Sequence, residues 1–219
     1  MLLVPRLVRR LVVPLLVLVL VLVGLDIGAR VLAQDEIASR ARTATGASSA
    51  SASIGGFPFL GHLLVEGTVP ELDVHLRGVP IGPLVLEAVD VELTDTVVDR
   101  GALFGSRTVR LVRIASGAAT VTVTADELSS AVGQQVVLPG DGQAQVVVAG
   151  RRLPATIEIA EGRVLEVVAG GVTLLRSDLT SSPLVPDCGL VLHLGSGAAT
   201  VSCRVAPVPL RLVHAIAGT

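Results

Sequence analysis

The chain has no lysine, tryptophan or tyrosine, and its aromatic content amounts to three phenylalanines. Stacking on sugar rings and the aromatic belt of a membrane interface therefore lack their main side chains. Zinc chemistry is poorly served by two cysteines and four histidines: no two His stand four apart, and H-E-x-x-H does not occur. Also missing are the G-x-G-x-x-G turn, the phosphate-binding P-loop, the G-x-S-x-G elbow and the D-x-[DN]-x-[DN]-G calcium loop. The reading is a non-enzymatic protein with no cofactor, no metal and no catalytic residues. Excess positive charge is lacking too. The formal net charge is −2, and residues 34–219 hold 13 Arg against 18 acids, which argues against nucleic acid as a partner.

What the chain has in quantity is aliphatic: 51% of it is hydrophobic, and valine occurs 38 times. Part of this is a leader. Arg6, Arg9 and Arg10 precede residues 11–25, which carry no charge, and Asp26 closes the run. Fifteen residues of helix rise about 22 Å, short of the roughly 30 Å hydrocarbon core, so residues 1–33 read as a signal peptide or an N-terminal membrane anchor. Val31-Leu32-Ala33 before Gln34 suits cleavage, whereas Asp26 and Arg30 are discordant in such a site. Either way residues 34–219 form one exported domain.

Cys188 and Cys203 fit that placement. Gly195-Ser196 between them has the Gly-first signature of a two-residue hairpin turn. Pairing Leu194 with Gly197 then sets Cys188 opposite Cys203, on one face with Leu190, Leu192, Leu194, Ala199 and Val201, within disulfide reach. The alternative is a pair of buried thiols.

The remainder reads as strands. Residues 34–45 extend the leader helix, with Gly46 as its stop, and the Ser/Ala stretch 47–53 suits a linker or a thin edge strand. Leu72, Val74 and Leu76 alternate with polar residues, as do Val89, Val91 and Leu93, with a turn over 79–83. Leu84 and Leu86 stand on the opposite phase, which predicts a bend near Glu87. Strands follow at 109–114 and 118–124, and Thr124 to Glu127 spells a capping box opening a second helix that stops at Gly133. A meander over 145–149, 155–160 and 164–168, with Ile159 near Leu165 and Ile157 near Val167, leads to a strand at 172–179. Nine or ten short strands with helix on them give an α+β fold: a mostly antiparallel, curved sheet with a long helix packed against it.

His75 and His193, and the acids Glu71, Asp73, Asp90, Glu92, Asp95 and Asp99, fall on the wet phase of their strands. Arg107, Arg110 and Arg113 are the densest basic group and read as a solvated edge. The unusual feature is apolar surplus: Leu84-Val85-Leu86, Val146-Val147-Val148 and Leu190-Val191-Leu192 are apolar on both phases. Either a second layer covers them, or the sheet lines a cleft for acyl chains.

Gly56-Phe57-Pro58-Phe59-Leu60 with His62-Leu63-Leu64, then Glu71-Leu72-Asp73-Val74 and the run from Leu86 to Leu93, resemble the LmeA-like family of actinobacterial envelope proteins, formerly a domain of unknown function. The resemblance covers roughly residues 30–180. It implies an exported or membrane-anchored protein that binds phospholipid, phosphatidylinositol among them, supports assembly of mannose-bearing glycolipids in the envelope, and has a fold similar to tubular lipid-binding proteins. Phe57 and Phe59 bracket Pro58 and suit either anchors at a cleft mouth or plain core. With Leu60, Leu63, Leu64, Leu84 and Leu86 they are the candidate lipid-contacting residues. The rival expectation is an exported interaction module with no bound lipid, and protein partners are not legible in the chain.

Overall fold

The structure, a computed structural model, describes residues 4–99, 101, 111–179 and 188–208. It is α+β, with one long N-terminal helix and two open antiparallel sheets. Helix α1 (Val4–Thr45) runs without a break from the leader into the domain, and Gly46, at φ +68°, ends it by donating to the Arg42 carbonyl. The larger sheet has the order β1-β2-β3-β4-β11-β10, from β1 (Ser49–Gly55), β2 (Thr68–Ile81), β3 (Leu84–Val98), β4 (Leu111–Thr124), β10 (Val191–Leu194) and β11 (Ala198–Val205). Between β1 and β2 lie a short helix α2 (Phe59–Gly61) and a π-helical turn (His62–Glu66). The smaller sheet is a meander of β5 (Gln135–Gly140), β6 (Gln143–Val148), β7 (Arg151–Ala160), β8 (Val164–Ala169) and β9 (Val172–Asp178).

The capping box is present in full. Thr124 Oγ1 accepts from the Glu127 amide and the Glu127 carboxylate accepts from the Thr124 amide, opening α3 (Ala125–Val132). Its Leu128 is buried in the main core, which both sheets build: Leu76, Leu84 and Val121 from the larger, Val146, Leu165 and Val167 from the smaller. The Gly197 amide, donating to the Leu138 carbonyl, and a bridge between Pro139 and Ser196 tie β5 to the β10–β11 hairpin.

The long strands β2 and β3 change phase twice and β4 once, and this divides the core. In β2 the buried residues are Leu76 and then Val79; in β3 they are Val89 and then Leu86. Pairing stays in register across the break, Arg77 with Ala88 and Val79 with Leu86, so both strands turn over together. The bend expected near Glu87 is thus made on the partner strand by Gly78, at φ +61°. A second break, with Asp95 at φ +50°, shifts burial in β3 from Leu93 to Thr96 and in β4 from Ala119 to Ile114. Beyond it lies an outer core of Ile54, Phe59, Val69 and Val98, adjoined by Leu93, Ile114 and Val208.

Several expectations need correction. The Cys188–Cys203 disulfide is present, with Cα atoms 5.9 Å apart, but the hairpin register is shifted by two: Leu194 pairs with Ala199, and Ser196-Gly197 makes the turn. The cause is Gly197 at φ +79°, the conformation required at the second turn position. A slip of two leaves every side chain on its expected face. Of the two readings of the Ser/Ala stretch the edge strand holds, as β1, while the segments at 109–114 and 118–124 form one strand within the described residues and β5 was not expected. Leu84-Val85-Leu86 and Leu190-Val191-Leu192 leave one face uncovered, because Val85 and Val191 are 47% and 63% exposed, whereas in Val146-Val147-Val148 the buried Val146 is backed by a half-buried Val147. Arg107 and Arg110 lie outside the described residues, and Arg113 is exposed.

A Cβ at position 78 would lie 2.5 Å from Ser48 Oγ, in a backbone conformation that L residues resist. Gly78→Ala is expected to lower unfolding stability by about 1–3 kcal/mol, read as a reduced urea midpoint with unchanged slope.

Candidate functional site

Helix α1 meets the domain along one stripe. Ala29, Ala33 and Ile37 join the outer core, and Ala41, one turn further on, joins the main one. Spacing of four keeps these side chains in line, and the small residues of β1 (Ala50, Ala52) let the helix approach closely. At the head of the stripe stands Asp26, 5% exposed. Its Oδ1 accepts from the Leu60 amide at 2.6 Å and its Oδ2 from the Phe59 amide at 3.0 Å. These are the first amides of the helical segment 59–66, whose own N-cap residue, Pro58, offers no capping side chain. A carboxylate from another helix supplies the cap instead.

The segment so held has two faces. Phe59 is buried and Leu60 and Leu63 pack around it, while Phe57, Leu64 and Val65 are 63%, 42% and 73% exposed. At its C-terminal end Glu66 accepts from Thr68 Oγ1 and pairs with the His62 ring at 3.0 Å. These two hydrogen bonds, His62 first, hold the Glu66 carboxyl below its ordinary range.

From this segment an apolar path runs along the inner face of the larger sheet. Three successive rows of cross-strand partners are made of apolar residues or glycine, apart from Cys203, which the disulfide closes. One reads Ile54, Leu72, Leu93, Gly117, Val205; the next Ala52, Val74, Val91, Ala119, Cys203; the third Ala50, Leu76, Val89, Val121, Val201. In the third row Leu76 and Val89 are closed off by the main core, and in the first Ile54 and Leu93 by the outer one. Between them Leu72, Val74 and Val91 remain partly exposed. Leu72 and Val91 also link the clusters, Leu72 within the outer core and Val91 from there to the main one. The result is a partly exposed apolar strip, a shallow trough, along the seam where the two cores adjoin. Thr96, 1% exposed nearby, leaves its Oγ1 without a hydrogen-bond partner among the described residues, a cost of about 1–3 kcal/mol in the outer core.

The candidate residues from the sequence separate accordingly. Phe57, Phe59, Leu60, Leu63 and Leu64 gather beside Asp26, whereas Leu84 and Leu86, each 1% exposed, belong to the interior of the main core. Leu72, Val74 and Val91 were legible only as strand residues, and Asp26 only as a discordant charge in the leader. Among the described residues, no three of His, Cys, Asp and Glu come together as a metal site would need.

The LmeA-like phospholipid-binding family matches the chain over residues 24–211. The chain belongs to that family. No curated protein and no solved structure matches it. The LmeA-like match takes in Asp26, the α1 stripe, the trough and the closing strand β11, and so extends past the C-terminal limit expected from the sequence. Membership of that family supports a lipid-binding role for the chain.

Removing the Asp26 cap exposes its worth. Asp26→Ala leaves two amides without their acceptor and is expected to destabilise the domain by about 1–3 kcal/mol. Amide exchange should quicken at Phe59 and Leu60 by at least tenfold while that of the β7–β8 pair stays unchanged.

Proposed function

We propose that the protein is a membrane-anchored, non-enzymatic phospholipid-binding protein of the cell envelope, and that one acyl chain lies in the trough over Leu72, Val74 and Val91. The single observation carrying this reading is that the apolar inner face of the larger sheet is left only partly buried at Leu72, Val74 and Val91, along the seam between two cores. Ordinary packing would close such a gap, because exposed aliphatic surface is disfavoured at about 25 cal/mol per Å². An acyl chain closes it with matching chemistry. A phosphatidylinositol-type lipid, and a role in supporting glycolipid assembly in the envelope, follow from the family resemblance and extend the same reading.

Retention of α1 as the anchor is supported by its contacts. Cleavage after Ala33 would strip away Asp26, Ala29 and Ala33, which pack on the domain. The Arg cluster before the apolar run sets that end in the cytoplasm, and the disulfide suits the other side. Residues 57–64 then stand at the membrane-proximal end of the trough. Leu84 and Leu86 serve the core of the same sheet.

Native mass spectrometry of the full chain, extracted from membranes in mild detergent, tests both parts at once. The expected intact mass includes residues 1–33 and carries one phospholipid, and Val74→Asp lowers lipid occupancy about tenfold, equivalent to about 1.4 kcal/mol. A lipid-free, folded chain that takes up no added phosphatidylinositol would instead mark an interaction module.

A further inference from the structure

We propose that Phe57, Leu64 and Val65 form a lip that inserts into the extracytoplasmic leaflet of the bilayer crossed by α1. The inference rests on α1 being retained as an anchor and deepens that reading. It starts from a shortage of length. The uncharged run 11–25 spans about 22 Å as a helix, and a hydrocarbon core of roughly 30 Å needs about five residues more.

Extension towards the N-terminus meets Arg9 and Arg10 side by side. Extension towards the C-terminus meets a charge already withdrawn from its surroundings, since Asp26 is buried and accepts from two amides. Past it, Ile27, Val31 and Leu32 are 54%, 47% and 72% exposed, as membrane-facing residues should be, and Arg30 has a stem long enough to reach the head groups. The hydrocarbon boundary therefore lies near Arg30, about one turn beyond Asp26.

Asp26 is also the residue that grips Phe59 and Leu60. The segment 57–66 is thereby fixed at the depth of Asp26, on the membrane side of that boundary. Phe57, Leu64 and Val65 are its exposed apolar side chains, and its charged pair, His62 with Glu66, is internally matched. A surface at that depth meets acyl chains and not water. The lip also borders the outer core, from which Leu72 leads into the trough, so a lipid could pass from leaflet to trough over apolar surface throughout.

The absence of tryptophan gives a clean test. Phe57→Trp, Val65→Trp and, as a reference on the far hairpin, Val85→Trp each place one indole in the full chain, reconstituted into phosphatidylcholine–phosphatidylglycerol liposomes. Lip indoles are expected to emit at shorter wavelength, to be quenched at least twofold more by doxyl-labelled lipid than the reference, and to be shielded from iodide. Iodide access at either lip position equal to that of Val85→Trp overturns the proposal. Flotation and native mass spectrometry on the same samples separate the failures. Chain that floats with water-exposed indoles keeps its anchor and loses the lip; chain that fails to float loses both; lipid occupancy reports the trough on its own.

Discussion

The grip of the Asp26 carboxylate on the amides of Phe59 and Leu60 is the contact on which the rest of this architecture hangs. A charged group in the outer part of an otherwise apolar helix is costly unless it is hydrogen-bonded, and the start of a helix with no cap of its own supplies the donors. Each end resolves the other's deficit. The consequence is geometric as well as energetic: the N-terminal helix is joined to the sheet at one defined height, so the side chains between β1 and β2 keep a fixed relation to the apolar run that precedes them. Without that contact, the helix would be held to the domain by the Gly46 turn and the narrow stripe of Ala29, Ala33, Ile37 and Ala41.

The second constraint is the paired change of phase in β2 and β3. A strand that alternates without interruption buries one continuous face and fills one core. Here Gly78 and Asp95 turn the strands over at two levels, and in the register that results the inner face is shared between a main core under the smaller sheet and an outer core under α1 and α2. Leu72, Val74 and Val91 stand at the seam between them, packed on one side and only partly buried. The apolar surplus in the sequence therefore has two fates: part is solvent-facing on single strand faces, as at Val85 and Val191, and part floors the trough.

How much of this could be read from the chain depends on the range of the interaction. Local signals were legible: the Thr124–Glu127 capping box, the Gly46 helix stop, and the Ile157–Val167 and Ile159–Leu165 pairs of a tight meander all have the expected geometry. The disulfide was legible as well, although the turn assigned to it was one residue early, because a Gly-first pattern and a Gly-second pattern overlap in Gly195-Ser196-Gly197. The site was less accessible. Phe57 to Leu64 stood out through composition and resemblance. Nothing in strand periodicity marks Val74 and Val91 as half-covered while Leu76 and Val89 two residues away are sealed, since that depends on where distant elements stop. Asp26 was visible as an anomaly, and its meaning required a partner 33 residues away.

The central claim, that an acyl chain occupies the trough between the two cores, is most directly tested by photocrosslinking. The full chain in membranes would be irradiated with phosphatidylinositol carrying a diazirine near the end of one acyl chain, and the modified peptides mapped by mass spectrometry. Adducts on residues 72–74 of β2 and 91–93 of β3, competed away by unlabelled lipid, are the result this account predicts. Adducts confined to α1 and to residues 57–66, with none on β2 or β3, would contradict it.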